Sequence, residues 1–151
     1  MASVREKVAA ELENISQALD DLQNARARPE RTVVERAALA TFLHNIYSGF
    51  ENIIKQILQA KGIAIPHTQT SHKDLVNLAS AERIISQPLA DDIFPFLTFR
   101  HFFVHAYGFM LEEDPLMKLV EKIPNVHSRF VSEIEAALRE FENPGLHEPS
   151  N

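Results

Sequence analysis

The sequence predicts an all-α protein, an antiparallel helical bundle with four long helical regions and one short helix. Three observations carry that expectation. Apolar residues recur at spacings of three and four over long stretches, the spacing of one face of a helix. Only four glycines occur in 151 residues, so few positions break such stretches. Two segments open with a serine or threonine followed three positions later by glutamate, the capping-box pattern that satisfies orphan backbone donors at a helix start.

The first of these starts is Ser3 with Glu6. Val4, Val8, Leu12, Ile15, Leu19 and Leu22 follow on one face, which predicts a helix over about 3–27 that Pro29 ends. Thr32 and Glu35 repeat the signal. Leu39, Phe42, Leu43, Ile46, Tyr47, Phe50, Ile53, Ile54, Ile57 and Leu58 then make a stripe too broad for a single contact, so the helix over about 32–61 is expected at the centre of the bundle, with Gly62 as its stop. Residues 63–70 read as a loop. A short helix is expected next, capped by Ser71 and Asp74, with Leu75, Val76 and Leu78 turned inward. From 86 to 111 the chain is apolar and aromatic, holding six of the ten phenylalanines, and Pro95 is expected to kink this helix or reset its start. The last helical region is expected to begin at Asp114 with Pro115 in its first position. Its inner face would be Val120, Ile123, Val126, Phe130, Ile134, Ala137, Leu138 and Phe141, with a break or kink at Pro124. The organisation expected is one domain over 1–142 and a flexible tail over 143–151.

Composition narrows the functional classes. The absence of cysteine excludes disulfides, thiolate metal sites and a cysteine nucleophile. No apolar run reaches the length of a membrane helix and residues 1–6 lack a signal-peptide core, so a cytoplasmic protein without membrane contact is expected. The formal net charge of −6 argues against a broad basic nucleic-acid face, though not against cations converging in one cleft.

Chemistry concentrates in one segment. Arg100, His101, His105 and Tyr107 stand in the most aromatic part of the chain, where an obligate cation is costly to bury unless it meets an anion. On a regular helix Arg100 and Tyr107 are two turns apart and nearly aligned, whereas His105 lies roughly 140° from Arg100. The two converge only in a distorted helix or a wide cleft, which a symmetric partner can supply. One plain alternative is that Arg100 pairs with Asp91 or Asp92 while the histidines pack. Another is a metal held by His101 and His105 at i, i+4, with Glu112, Glu113 or Asp114 completing the set.

Arg100-His101-Phe102-Phe103-Val104-His105-Ala106-Tyr107 resembles the R-x4-H-x-Y signature of HepT-like ribonuclease toxins in the HEPN superfamily. The wider run from Phe99 to Gly108 is similar to the version in cyanobacterial members. His44-Asn45-Ile46-Tyr47-Ser48-Gly49-Phe50-Glu51-Asn52-Ile53-Ile54 resembles the family's second helix. Ser71-His72-Lys73-Asp74-Leu75-Val76 resembles its short W-H-x-x-L-L segment, with serine where tryptophan is usual. The resemblance covers roughly residues 5–141 and implies a HEPN-type bundle.

It further implies an endoribonuclease that needs no metal or other cofactor and works as a homodimer, its motif helices facing each other across a cationic cleft. RNA supplies the attacking 2′-hydroxyl. His105 can move a proton near neutral pH, as base or acid. Arg100 offers a planar fork to the phosphate. Tyr107 can stack on a base or hydrogen-bond a phosphate. In the family a minimal nucleotidyltransferase antitoxin of the MntA type transfers AMP to this tyrosine, and a phosphate there would neutralise Arg100 and block the cleft. Glu51 and Asn52 either orient Arg100 or form a solvated helix face, and His101 lines the same cleft. The alternative from another class is a non-catalytic HEPN subunit that binds or regulates a nucleotidyltransferase. Neither tRNA nor mRNA is singled out as the substrate.

Overall fold

A computed structural model describes residues 2–106 and 112–144, with His105 and Ala106 described by their backbone alone. Five α-helices make up the described chain: α1 (Val4–Arg26), α2 (Val33–Ala60), α3 (Ser71–Ala81), α4 (Gln87–Ala106) and α5 (Glu113–Glu142). No strand occurs among the described residues. This is the expected plan of four long helices and one short one.

Helix starts follow local chemistry. The Ser3 hydroxyl accepts from the Glu6 amide at 3.1 Å. Glu6 returns a contact to that hydroxyl at 3.3 Å, so the predicted reciprocal box is only half built. At α2 the box is complete, with the Thr32 amide donating to Glu35 at 2.8 Å. These bonds hold the Glu35 carboxyl below its usual range. Gly62 ends α2 with φ +75°, the left-handed conformation that lacks a penalty only for glycine.

Two boundaries differ from expectation. The short helix is capped one residue earlier, at Thr70, where the hydroxyls of Thr68 and Thr70 both donate to Asp74 at 2.8 and 2.9 Å. α5 starts at Glu113, placing Pro115 third in the helix rather than first. That position still lies in the first turn, where an amide has no intrahelical acceptor to lose. Neither proline breaks its helix: α4 is continuous through exposed Pro95 and α5 through Pro124. A missing donor at Pro95 frees a carbonyl on the solvated side, where water can satisfy it.

α2 is the central helix and packs against the other four. Its buried residues run from Leu39 to Leu58 and include Tyr47, Phe50 and four isoleucines. α1 folds back along it, burying Val8, Ile15, Ala18 and Leu22. α5 runs antiparallel to α1, with Arg5 bridging to Glu135 and Glu142 at 3.1 and 2.7 Å. Phe130 of α5 meets Phe50 at a ring separation of 4.2 Å. α4 lies antiparallel to α2 and α5, tied by Ser86–Glu133 and Asp92–Arg129 contacts. α4 buries Leu89, Ala90, Ile93 and Phe96 but opens beyond them, leaving Phe102 64% exposed. One expectation on burial needs correction. Phe141, expected on the inner face of α5, is largely exposed because it falls in the last turn, beyond the core.

α1 and α2 approach closely at Gly49. A Cβ there would stand 2.4 Å from Cγ1 and 2.7 Å from Cδ1 of Ile15, itself fully buried on α1. Gly49→Ala is therefore expected to destabilise the protein by about 1–3 kcal/mol, since neither helix can yield without disturbing the core. Thermal unfolding monitored by circular dichroism measures this, and an unchanged midpoint would show that the α1–α2 contact has slack.

Candidate functional site

A polar cluster interrupts the core where α2, α3 and α4 meet. Its centre is Glu51, the one charged side chain buried among the described residues, at 4% exposure. A carboxylate there needs partners, and the α3 helix supplies one: Nδ1 of His72 meets Oε1 at 2.9 Å and Oε2 at 2.7 Å. The helix that carries His72 is fixed by the Thr68/Thr70/Asp74 cap just before it and by Leu75, Val76 and Ala79 buried just after it. Those cap hydrogen bonds keep the Asp74 carboxyl below its usual range.

One turn before Glu51 on α2 lies Tyr47, almost wholly buried, its hydroxyl without a hydrogen-bond partner among the described residues. Burial raises its phenol well above the ordinary tyrosine range, and the Glu51 charge adds to the effect while Arg100 opposes it. His44, one turn earlier again, packs its ring on Phe103 of α4 at 5.2 Å. Burial lowers the His44 pKa, Arg100 lowers it further, and Glu51 acts the other way. Both residues thus sense Arg100 directly.

Arg100 itself is half-buried on α4 and makes no ion pair or hydrogen bond among the described residues. The alternative pairing with Asp91 or Asp92 is not formed: Asp91 accepts from Gln87 at 2.8 Å and Asp92 binds Arg129. Helix geometry explains this, because both aspartates sit on the solvated part of α4 more than two turns before Arg100. The described residues hold no group of three or more histidines and acids that could bind a metal ion. Among them, no helix is long and apolar enough to cross a membrane.

The other expected site residues are placed as follows. His101 is exposed on α4. His105 continues α4, and only its backbone is described; Tyr107 lies outside the described residues. Glu51 is buried rather than on a solvated face, and its hydrogen-bond partner among the described residues is His72. Asn52 turns away to line a groove of about 350 Å³ between α1 and α2 with Glu11, Asn14 and Ser48, because one step along a helix is a rotation of about 100°. His72 and His44 are the residues that reading the sequence undervalued. Spacing gave a clue for His44, which precedes Tyr47 and Glu51 on one face at intervals of three and four.

Residues 38–141 match the family model described as HepT-like protein. The chain belongs to the HepT-like family. Comparison with curated protein sequences gives no significant match. Among solved structures, this HepT-like chain is similar to a tri-AMPylated HEPN toxin from Shewanella oneidensis in complex with an MNT antitoxin. That likeness has a TM-score of 0.76 at 18% identity, covering 90% of this chain and 99% of the other. It is also similar to a chain of a toxin–antitoxin structure with AMP-PNP, with a TM-score of 0.74 at 18% identity over 85% and 97%. A third likeness is to YutE of Bacillus subtilis, a cytosolic protein of unknown function, with a TM-score of 0.73 at 16% identity over 94% of each chain. At these identities the likeness concerns the fold, which is the all-α HEPN bundle.

The Glu51–His72 pair lends itself to a direct test. His72→Ala leaves a buried carboxylate without its partner and is expected to cost about 1–3 kcal/mol. Adding Glu51→Gln removes the charge, so the double variant should recover part of that loss. Urea unfolding of the four proteins reads the coupling, and strictly additive effects would mean the pair contributes no interaction energy.

Proposed function

We propose that this HepT-like protein is a metal-independent endoribonuclease toxin, held in check by a nucleotidyltransferase antitoxin that transfers AMP to Tyr107. The observation that carries the reading is Arg100: a half-buried guanidinium beside two histidine-bearing helices, with no acidic partner among the described residues. A cation kept in that state suits a mobile anion, and a phosphodiester fits its fork. Arg100, His105 and Tyr107 also complete the R-x4-H-x-Y pattern within the matched span.

In this scheme the 2′-hydroxyl beside the scissile phosphate attacks phosphorus, the P–O5′ bond breaks, and a 2′,3′-cyclic phosphate is left. One proton leaves the 2′-oxygen and one reaches the departing 5′-oxygen. His105 moves a proton, since imidazole titrates near neutral pH, and Arg100 stabilises the charge on the phosphorane. α4 is a regular helix through Ala106, which leaves Arg100 and His105 about 140° apart. Two protomers facing each other through α4 would bring Arg100 of one chain towards His105 of the other, and would supply one histidine as base and one as acid. The exposed Phe102 and Val104 side chains provide apolar surface for that interface. His101 lies at its edge. The AMPylated and AMP-PNP-bound relatives support the regulatory half of the reading.

A second reading, a non-catalytic subunit for a nucleotidyltransferase, shares the fold and the partner but needs neither Arg100 nor His105.

Arg100→Ala and His105→Ala are each expected to abolish cleavage of total RNA while helical content and light-scattering mass stay those of a dimeric wild type. Cleavage should persist in EDTA and fail on DNA, which has no 2′-hydroxyl. A monomeric wild type, or a wild type inert towards RNA, would sink the two-chain ribonuclease and favour the subunit reading.

AMP on Tyr107 would add a negative phosphodiester and a purine, which would compete with RNA for a cationic site. Co-expression with the partner nucleotidyltransferase should shift the Tyr107 peptide by the mass of one or more AMP groups in step with loss of activity. An unmodified peptide from fully neutralised protein would leave occlusion as the mechanism instead.

A further inference from the structure

His44 lies outside the R-x4-H-x-Y pattern, yet the fold sets it against the same helix. Its ring rests on Phe103 at 5.2 Å, and Phe103 stacks in turn on Phe99 at 6.0 Å. Phe103 is three positions after Arg100, so both occupy the side of α4 that His44 packs against, and the Arg100 charge reaches the ring. The two ring nitrogens of His44 have different surroundings. Nδ1 is buried and has no hydrogen-bond partner among the described residues, whereas Nε2 is not among the buried atoms left without one.

That asymmetry selects a tautomer. A proton on Nδ1 would be a buried donor with nothing to bond, and orphaned donors are rarer in proteins than under-used acceptors. On Nε2 the proton is free to bond a ligand. A second proton is disfavoured by burial and by Arg100 across from it, despite Glu51 on the same helix. The other groups facing the ring do not change this balance: Tyr47 keeps its proton, and Glu51 is engaged through both oxygens by His72 of α3.

We propose that His44 is a phosphate-binding residue, a neutral Nε2–H donor that, with Arg100 of the same chain, holds a non-bridging oxygen of the RNA phosphodiester. The inference rests on the ribonuclease reading only for the identity of the phosphate's owner. It assigns His44 no proton transfer, which stays with His105. A neutral donor suits this place, because a second cation would be repelled by Arg100, whereas an uncharged N–H adds to its grip on an anion.

The test combines spectroscopy, which needs no activity, with binding and kinetics. In 15N-labelled protein, His44 should appear as the Nε2–H tautomer and titrate below the ordinary histidine range, and inorganic phosphate should shift its Nε2 resonance. His44→Leu keeps the apolar contact with Phe103 and removes the donor. Affinity for an uncleavable 2′-O-methyl oligoribonucleotide should then fall about tenfold or more, as expected for a hydrogen bond to a charged group. His44→Gln, which restores an N–H, should recover part of the loss, and the pH–rate profile of both variants should keep the wild-type shape. A His44 resonance indifferent to phosphate, with wild-type binding by His44→Leu, would overturn the proposal. So would the loss of one limb of the pH–rate profile, which would make His44 a proton carrier. Should the wild type cleave nothing while phosphate still shifts His44, the anion site stands and the ribonuclease reading falls.

Discussion

A single carboxylate buried in the central helix constrains most of this bundle. α2 touches every other helix, and its inward surface is apolar except where Glu51 enters the core. A charge in that position demands a partner on a fixed scaffold, because leaving it unpaired would cost about 1–3 kcal/mol. His72 meets the demand, and to do so α3 must sit at one height along α2. The Thr68/Thr70/Asp74 cap and the Leu75–Val76 contact set that height from either side. Lys61, bonding the Glu82 carbonyl at 3.3 Å, fixes the other end of the same pair of helices. With α3 placed, α4 is confined to the remaining flank of α2. Arg100 and Phe103 thereby come to face His44 and Tyr47.

The same arrangement bears on how an acidic protein could present the anion site proposed above. Its carboxylates outnumber its cations by 21 to 15, so the long-range field opposes a polyanion. Locally the balance is reversed. Glu51 is withdrawn from solvent and chelated by His72, Asp92 is matched by Arg129, and Glu113 by Arg31. Arg100 is left facing aromatic rings and a neutral imidazole. Such a site takes its selectivity from short-range hydrogen bonds rather than from attraction at a distance, and its occupation should depend on salt less steeply than that of a broad basic groove.

Much of the fold is legible in the chain itself. The stripe from Leu39 to Leu58 marks the central helix because a face that wide cannot be satisfied by one neighbour. The Thr32–Glu35 box and Gly62 mark its ends because each supplies hydrogen bonds or a φ value that few other residues can. Pro95 and Pro124 remove one donor each, yet neither resets nor breaks its helix, since a freed carbonyl on the solvated side can be satisfied by water. Long-range pairing was the harder part. The distance along the chain from Glu51 to His72 is 21 residues, and no periodicity links them. Their meeting depends on how a loop returns, which composition does not encode. Asn52 shows the converse error, since adjacency in sequence to a site residue places a helical side chain about 100° away from it.

Regularity of α4 has a further consequence for how a site could be assembled. A π-bulge or kink between Arg100 and His105 would let one chain close both residues on one phosphate. The helix instead continues without interruption to Ala106, despite Pro95 upstream. Within one chain, the histidine packed against the Arg100 side of α4 is His44, across the helix–helix contact. On the proposed reading two tasks would then be separated: holding an anion would fall to the α2–α4 contact inside the protomer, and proton transfer to an assembly of two chains. The exposure of Phe102 on that helix gives the outside partner apolar surface to cover. An intrachain anion grip combined with proton carriers supplied across an interface would make binding possible in a single protomer but turnover dependent on assembly, so a dilute monomer should still bind phosphate where it no longer cleaves.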